Sequence, residues 1–307
     1  MTSFIQRVYS HFSLLPKPGS AFQITPRHIS GITLASRDRN IKSFFFLSLD
    51  EGTLRPSFSG KNVTDPDLLS AKLGEGLKKL DMSDRKIALL IPEVCQKSFI
   101  FSFDSFPVSR DEQESLVRFR IKRQMPKLSQ DVKVTFDAVQ GNDKKRVLAS
   151  IAIKTVIQEY ERPFLNHHLK PVVVNIPVLS LSNLIDWQEE KDFVLVNVEK
   201  DEFGLIAVSN SEIAACRQKA ALEKSPDRRI RNIIQEIENT VNFIEDRESR
   251  KIETLWIRLG ILESEASVLD ALKSSFSLDI KKVDDIIGNR LDPEEKKMFS
   301  PLLGQIS

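Results

Sequence analysis

The sequence predicts a two-lobed α/β protein with a small subdomain inserted in the first lobe. Three observations point there. The 307 residues exceed one ordinary core, an opening of strand, polar turn and strand recurs in the second half, and helical and strand periods alternate elsewhere. Hydrophobic residues make up 41% and charged residues 29%, the balance of a globular chain rather than a disordered one. Lys and Arg number 45 against 43 Asp and Glu, so no overall field draws the chain to nucleic acid or to an anionic membrane.

Phe4, Ile5, Val8 and Phe12 have helical spacing and predict a short amphipathic segment within residues 1–20, ahead of Pro16-Lys17-Pro18-Gly19. Its shortness and weak basic charge favour packing on its own domain over membrane contact. A first lobe over 21–187 opens with three strands, at 22–24, 29–35 and 41–49. Thr64-Asp65-Pro66-Asp67 then supplies a cap and an early Pro for a helix whose leucines end at Leu80. Residues 86–91 are apolar on both faces, as a strand covered on both sides would be, and 98–103 alternates with Phe99, Phe101 and Phe103 on one face. Ser109 followed by Glu112 reads as a capping box for a helix over 109–125. Strands at 132–139 and 146–153, a helix at 154–168 and a strand at 172–176 follow, and the insertion is placed at about 107–169. The second lobe, 188–307, carries strands at 193–198, 204–208 and 213–216, then a helix from Asp227 with Ile230, Ile233, Ile237, Val241 and Ile244 on one stripe. Strands at 254–259 and 278–283 with a helix at 266–274 between them complete it.

Cys95 and Cys216 lie in apolar stretches and read as buried, reduced thiols of a cytoplasmic protein. No apolar run reaches the ~18 residues of a membrane span, the N-terminus lacks signal-peptide order, and the Asn62-Val63-Thr64 sequon therefore carries no expected role. Phosphate-loop, dinucleotide, zinc and nucleophile-elbow motifs are absent from the sequence. His167 and His168 are adjacent, so on a helix they point about 100° apart and cannot share a metal; they are expected at a helix end. The residues indicate no catalytic group, no metal and no cofactor. Arg118, Arg120, Lys122, Arg123 and Lys127 cluster with one aromatic, Phe119, which favours a solvated helix face, then an acidic protein partner, over nucleic acid.

Six blocks in order carry a resemblance: 22–30, 86–92 with 97–107, the helix 111–125 ending in Met125-Pro126, Phe136-Asp137-Ala138-Val139, Ile234-Gln235-Glu236-Ile237 with Phe243, and the tail 300–306. Together they resemble the PilM family of type IV pilus assembly proteins, from about Phe22 to the end of the chain. The resemblance implies an actin-like ATPase (ribonuclease H-like) fold with the small subdomain shared with FtsA. Such folds hold ATP between the lobes, with an Asp in each phosphate loop for hydrated Mg²⁺ and small residues in the turns.

This sequence departs from that pattern in three loops. In the first loop, which continues into Thr25, Gln23 stands for Asp. In the second, Asn197 stands for Asp, Glu199 for Gly and Phe203 for Thr, while Leu259-Gly260 replaces the adenine-side Gly-Gly. The resemblance therefore implies a non-catalytic, ATP-independent platform in the cytoplasm, peripheral to the inner membrane. It would dock the cytoplasmic N-terminal peptide of a bitopic PilN-like protein, and the family also suggests contacts with cytoplasmic components of the pilus motor. The alternatives are an ATP-binding relative or a GspL-like component of type II secretion. The expected peptide contacts are Phe106, Phe119, Arg118, Arg120 and Arg123, with the Phe99, Phe101 and Phe103 set assigned to the core.

Overall fold

The computed structural model describes residues 18–35, 40–140, 145–221, 223, 225–260, 262, 265–288 and 291–306. The amphipathic pattern of Phe4, Ile5, Val8 and Phe12 lies outside them.

Strands β1 (Ser20–Ile24), β2 (His28–Leu34) and β3 (Ile41–Ser48) form an antiparallel meander, as their period and turns predict. Helix α1 (Pro66–Leu77) follows, capped by Asp65, whose carboxylate accepts from the Leu68 amide at 3.0 Å. Strand β4 (Lys86–Leu90) returns parallel to β1. The chain then leaves the sheet through β5 (Lys97–Phe103), α2 (Arg110–Gln124), β6 (Val132–Gln140) and β7 (Lys145–Ile153). Helix α3 (Lys154–Asn166) and β8 (Lys170–Asn175) bring it back, and the first sheet has the order β3-β2-β1-β4-β8. Every residue of β1 and β2 is buried, because α1 and α3 cover one face and the C-terminal helix covers the other.

After a short helix, α4 (Pro177–Leu181), the plan repeats. Strands β9 (Phe193–Val198), β10 (Glu202–Ser209) and β11 (Glu212–Ala220) form a second meander, α5 (Pro226–Glu248) packs behind it, and β12 (Thr254–Leu259) runs parallel to β9. Helix α6 (Glu265–Ser275) and β13 (Asp279–Lys282) give the order β11-β10-β9-β12-β13. The two orders match strand for strand. Gln23 on β1 and Asn197 on β9 therefore hold equivalent places: Gln23 pairs with Ser30 and Leu90, and Asn197 pairs with Gly204 and Arg258.

Two boundaries and one helix cap differ from those the sequence predicts. The subdomain sheet has the order β5-β7-β6 with α2 against it, so the insertion spans 97–153 and not 107–169. β5 belongs to it through its pairing with β7, whereas α3 packs on the first lobe with Val156, Tyr160 and Phe164 in that core. Ser109 makes no side-chain capping bond; the turn before α2 is held instead by the Gln113 amide donating to the Pro107 carbonyl at 2.8 Å. Finally, the segment read as a second-lobe tail is helix α7 (Pro293–Ile306), and it crosses back onto the first sheet. Phe299, Leu302 and Ile306 pack there against Ala21, Ile32, Ala88 and Leu90.

Helix α7 also crosses α4 at a close approach that only glycine permits, since a Cβ on Gly304 would lie 2.3 Å from the Ser180 carbonyl oxygen. Ser180 Oγ donates to the Pro301 carbonyl at 2.5 Å and the Asn183 amide to that of Gly304 at 3.0 Å. This crossing ties the ends of both lobes together. Leu302→Ala is expected to cost about 2–5 kcal/mol by chemical denaturation, because its side chain is fully buried between α7 and the first sheet. A loss below ~1 kcal/mol would mean that α7 is not part of the first-lobe core.

Candidate functional site: the cleft between the lobes

The β1–β2 and β9–β10 turns face each other across the seam of the molecule. On the exposed rim Arg27 reaches across, with Nε donating to Asp201 Oδ2 at 3.0 Å and Nη2 donating to Oδ1 at 3.4 Å. Inside the first turn Thr25 Oγ1 accepts from the Arg27 and His28 amides and lies 2.9 Å from His28 Nδ1. The His28 imidazole stacks on Phe46, and burial holds it down to about 4, so it is neutral at ordinary pH.

Beneath the rim the second sheet presents a row across three strands: Gly204, Asn197 and Arg258. Arg258 is 1% exposed. It forms an ion pair with Glu199, donates from Nη1 to Asn197 Oδ1 at 3.0 Å, and gives Nε and Nη2 to the Lys297 carbonyl of α7 at 3.1 and 2.6 Å. The Glu199 carboxylate rests on the bare backbone of Gly260, where a Cβ would meet it at 2.3 Å. Two further carboxyls close the seam. Glu93, in a single 3₁₀ turn after β4, accepts from the Val178 amide at 2.8 Å and from Asn197 Nδ2 at 3.0 Å, and it lies against Gly204. Glu202 on β10 accepts from the Glu93 and Val94 amides at 2.9 and 3.1 Å. Burial, reinforced by Glu202, pushes Glu93 well above the carboxylate range. Burial pushes Glu202 up to about 8 despite its two amide donors.

Of the residues predicted for the loops, the structure gathers Gln23, Thr25, Asn197, Glu199 and Gly260 at the seam, all buried. Phe203 and Leu259 turn away into the second-lobe core. Glu93, Glu202, Arg258 and the Arg27–Asp201 bridge were not predicted. Arg258 had a signal: a lone charge in the apolar run Thr254–Leu259, which fills both faces of a buried strand.

The subdomain residues are dispersed. Phe106 is a correction: it is buried against Phe103 and Phe136 in the subdomain core, because the bend at Pro107 folds it under α2. Phe101 and Phe103 are buried there too, as expected, with Phe99 packed beside them. Phe119 is 59% exposed, so it stands outside that core. Arg118 is occupied by Glu114 at 2.7 Å, and Arg120 donates to the Ser102 carbonyl at 3.1 Å over the Phe103 ring. Phe101, Arg120, Arg123 and Gln124 line an open groove beside α2.

Among solved structures the chain is similar to the PilM-PilN type IV pilus biogenesis complex, with a TM-score of 0.73 at 14% identity over 95% of this chain and 97% of that one. A Bacteroides thetaiotaomicron protein with an actin-like ATPase fold and unknown function matches with a TM-score of 0.54 at 12% identity, over 95% of this chain and 98% of that one. The fold is actin-like. The cytoplasmic domain of EpsL, an inner-membrane component of the Vibrio cholerae type II secretion system, matches with a TM-score of 0.52 at 9% identity, over 92% and 94% of the two chains. No protein-family model and no curated protein matches the chain.

In an actin-like cleft the two hairpin turns are where a magnesium nucleotide would be held. The residues present do not fit one. Gln23 and Asn197 supply neutral amides in place of metal-binding carboxylates, and the Asn197 amide is already committed to Glu93 and Arg258. Glu199 directs a carboxylate to where phosphate would approach, and Arg258, the cation beside it, is spent on Glu199 and the Lys297 carbonyl. Among the described residues no three His, Cys, Asp or Glu side chains converge to hold a metal ion.

The titrating groups give the stability a sign. Glu93 and Glu202 bind protons more tightly folded than unfolded, so their contribution is complete below the ordinary value of 4.5 and is lost as pH rises through about 8 for Glu202. His28 acts oppositely, losing stability as pH falls from 6.5 toward about 4. Stability in urea is therefore expected to be higher near pH 6.5 than at pH 8.5, by an amount on the order of 1–3 kcal/mol. Equal or higher stability at pH 8.5 would show that the seam carboxyls are ionised in the folded protein.

Proposed function

We propose that the chain is a non-catalytic docking platform of a type IV pilus or related secretion assembly, which binds the cytoplasmic N-terminal peptide of a PilN-like inner-membrane protein. The observation that carries this reading is the Arg258–Glu199 pair, which answers the cleft's charges internally on a fold similar to that of the PilM-PilN complex. A site whose buried cation and the Asn197 amide are already bound within the chain has little to offer a triphosphate, and a role as a rigid support for a partner fits that. The groove beside α2 supplies the docking chemistry: an apolar floor at Phe101, the guanidinium groups of Arg120 and Arg123, and the exposed Phe119 ring nearby. These suit an extended peptide with apolar and acidic side chains, because aromatic and Arg anchors carry most of an interface's energy. Among the described residues no helix is long and apolar enough to cross a membrane, so on this reading the partner supplies the membrane contact.

Calorimetric titration tests both halves. Mg²⁺-ATP is expected to give no micromolar binding, and micromolar affinity that vanishes without Mg²⁺ would overturn the non-catalytic reading. Phe119→Ala is expected to weaken binding of the partner's N-terminal peptide about fivefold, roughly 1 kcal/mol, while leaving the melting temperature unchanged. Undiminished binding, or a melting temperature that falls in parallel, would place the docking site elsewhere.

A further inference from the structure

Glu93 and Glu202 meet across the seam, one from the first lobe and one from the second. Each is 2% exposed or less, and each is bonded to the opposite side: Glu202 takes the amides of Glu93 and Val94, and Glu93 takes the Asn197 amide. The Oε2 atom of Glu93 is buried without a hydrogen-bond partner, and its carboxyl lies on Gly204, where a Cβ would meet it at 2.5 Å. The charged groups that bear on the pair are Glu199, from the β9–β10 turn, and Asp201, from the same turn, both acidic. The other titratable neighbours, Cys95, Tyr160 and Cys216, are buried, and burial raises all three, so they stay neutral. Arg258, the nearest cation on the row, is committed to Glu199.

We propose that the seam is a proton-coupled latch: the Glu93–Glu202 pair must carry hydrogen for β10 to sit against the turn after β4, and its loss lets the two part. Two ionised carboxylates in this dry space would repel each other, and the nearby cations Arg258 and Arg27 are already paired with Glu199 and Asp201. Parting re-solvates both, so a higher pH favours the open seam, and closing takes protons up. The ordinary conformational trigger of such a cleft would be a ligand between the lobes; here the trigger is the proton. The inference stands whether or not the chain docks a peptide, since it concerns only the seam.

Hydrogen exchange read by mass spectrometry tests it on the full chain, with rates corrected for the intrinsic base catalysis of exchange. The amides of Glu93, Val94 and Val178 donate to the two carboxyls and report the latch directly. Their protection is expected to fall with rising pH, by up to about tenfold per unit for each carboxyl, between the ordinary carboxylate value of 4.5 and about 8, where Glu202 ionises in the closed seam, while β12, between β9 and β13 in the second sheet, keeps its protection. Glu93→Gln keeps the acceptor for Val178 and Asn197 and mimics the protonated acid, so it is expected to make the fall at least about tenfold smaller over the same range. Glu202→Gln, on the other lobe, removes the second proton but turns an amide NH2 toward Glu93 or Val94, so it is expected to lower protection at every pH while also making its pH dependence smaller. Protection that is constant to pH 9, a loss shared by β12, or an undiminished fall in Glu93→Gln would each overturn the proposal.

Discussion

The guanidinium of Arg258 is the contact on which the rest of the cleft depends. It sits on the inner face of a buried strand and binds three things at once: the Glu199 carboxylate, the Asn197 amide oxygen and the Lys297 carbonyl. A buried charge left alone costs several kcal/mol, so each partner is a necessity rather than an ornament. Through Asn197 the arrangement reaches Glu93 and hence the first lobe, and through Lys297 it reaches α7, which packs on the first sheet. One side chain thus links the second-lobe sheet, the C-terminal helix and the turn beyond β4.

The two lobes share a strand order but use it differently. At Asn197 the inner row is filled by Gly204 and Arg258; at the equivalent Gln23 the partners are Ser30 and Leu90. The buried cation at the seam, Arg258, comes from the second lobe, whereas Arg27 of the first lobe stays at the rim. Arg27 and Asp201 bridge the rim on the outside, where screening limits such a pair to a small contribution. The subdomain is fastened to the second lobe separately, by Arg146 on β7 reaching Glu248 of α5 at 2.9 Å.

The central strands β4, β9 and β12 were legible because strands covered on both sides are nearly pure apolar runs. Helix α7 was not, since Pro301 and Gly304 lie inside it and both argue locally against a helix; the Ser180 hydroxyl and the close crossing on α4 compensate. The altered loop residues were visible one by one, but not their consequence. Asn197 and Glu199 become a self-contained network only when β12 delivers Arg258 beside them, a contact between residues about sixty positions apart that no local pattern encodes. Phe106 was misread for the converse reason: an aromatic next to a proline looks like an exposed bend until the α2 helix folds over it.

The central claim, that the chain's own arginine closes the cleft, is tested most directly by urea denaturation of Arg258→Met. The expected loss is about 3–5 kcal/mol, because Glu199 is left as an uncompensated buried charge, with a substantial part regained when Glu199→Gln is added to the same chain. A single variant as stable as the unmodified protein, or a double variant no better than the single one, would contradict it.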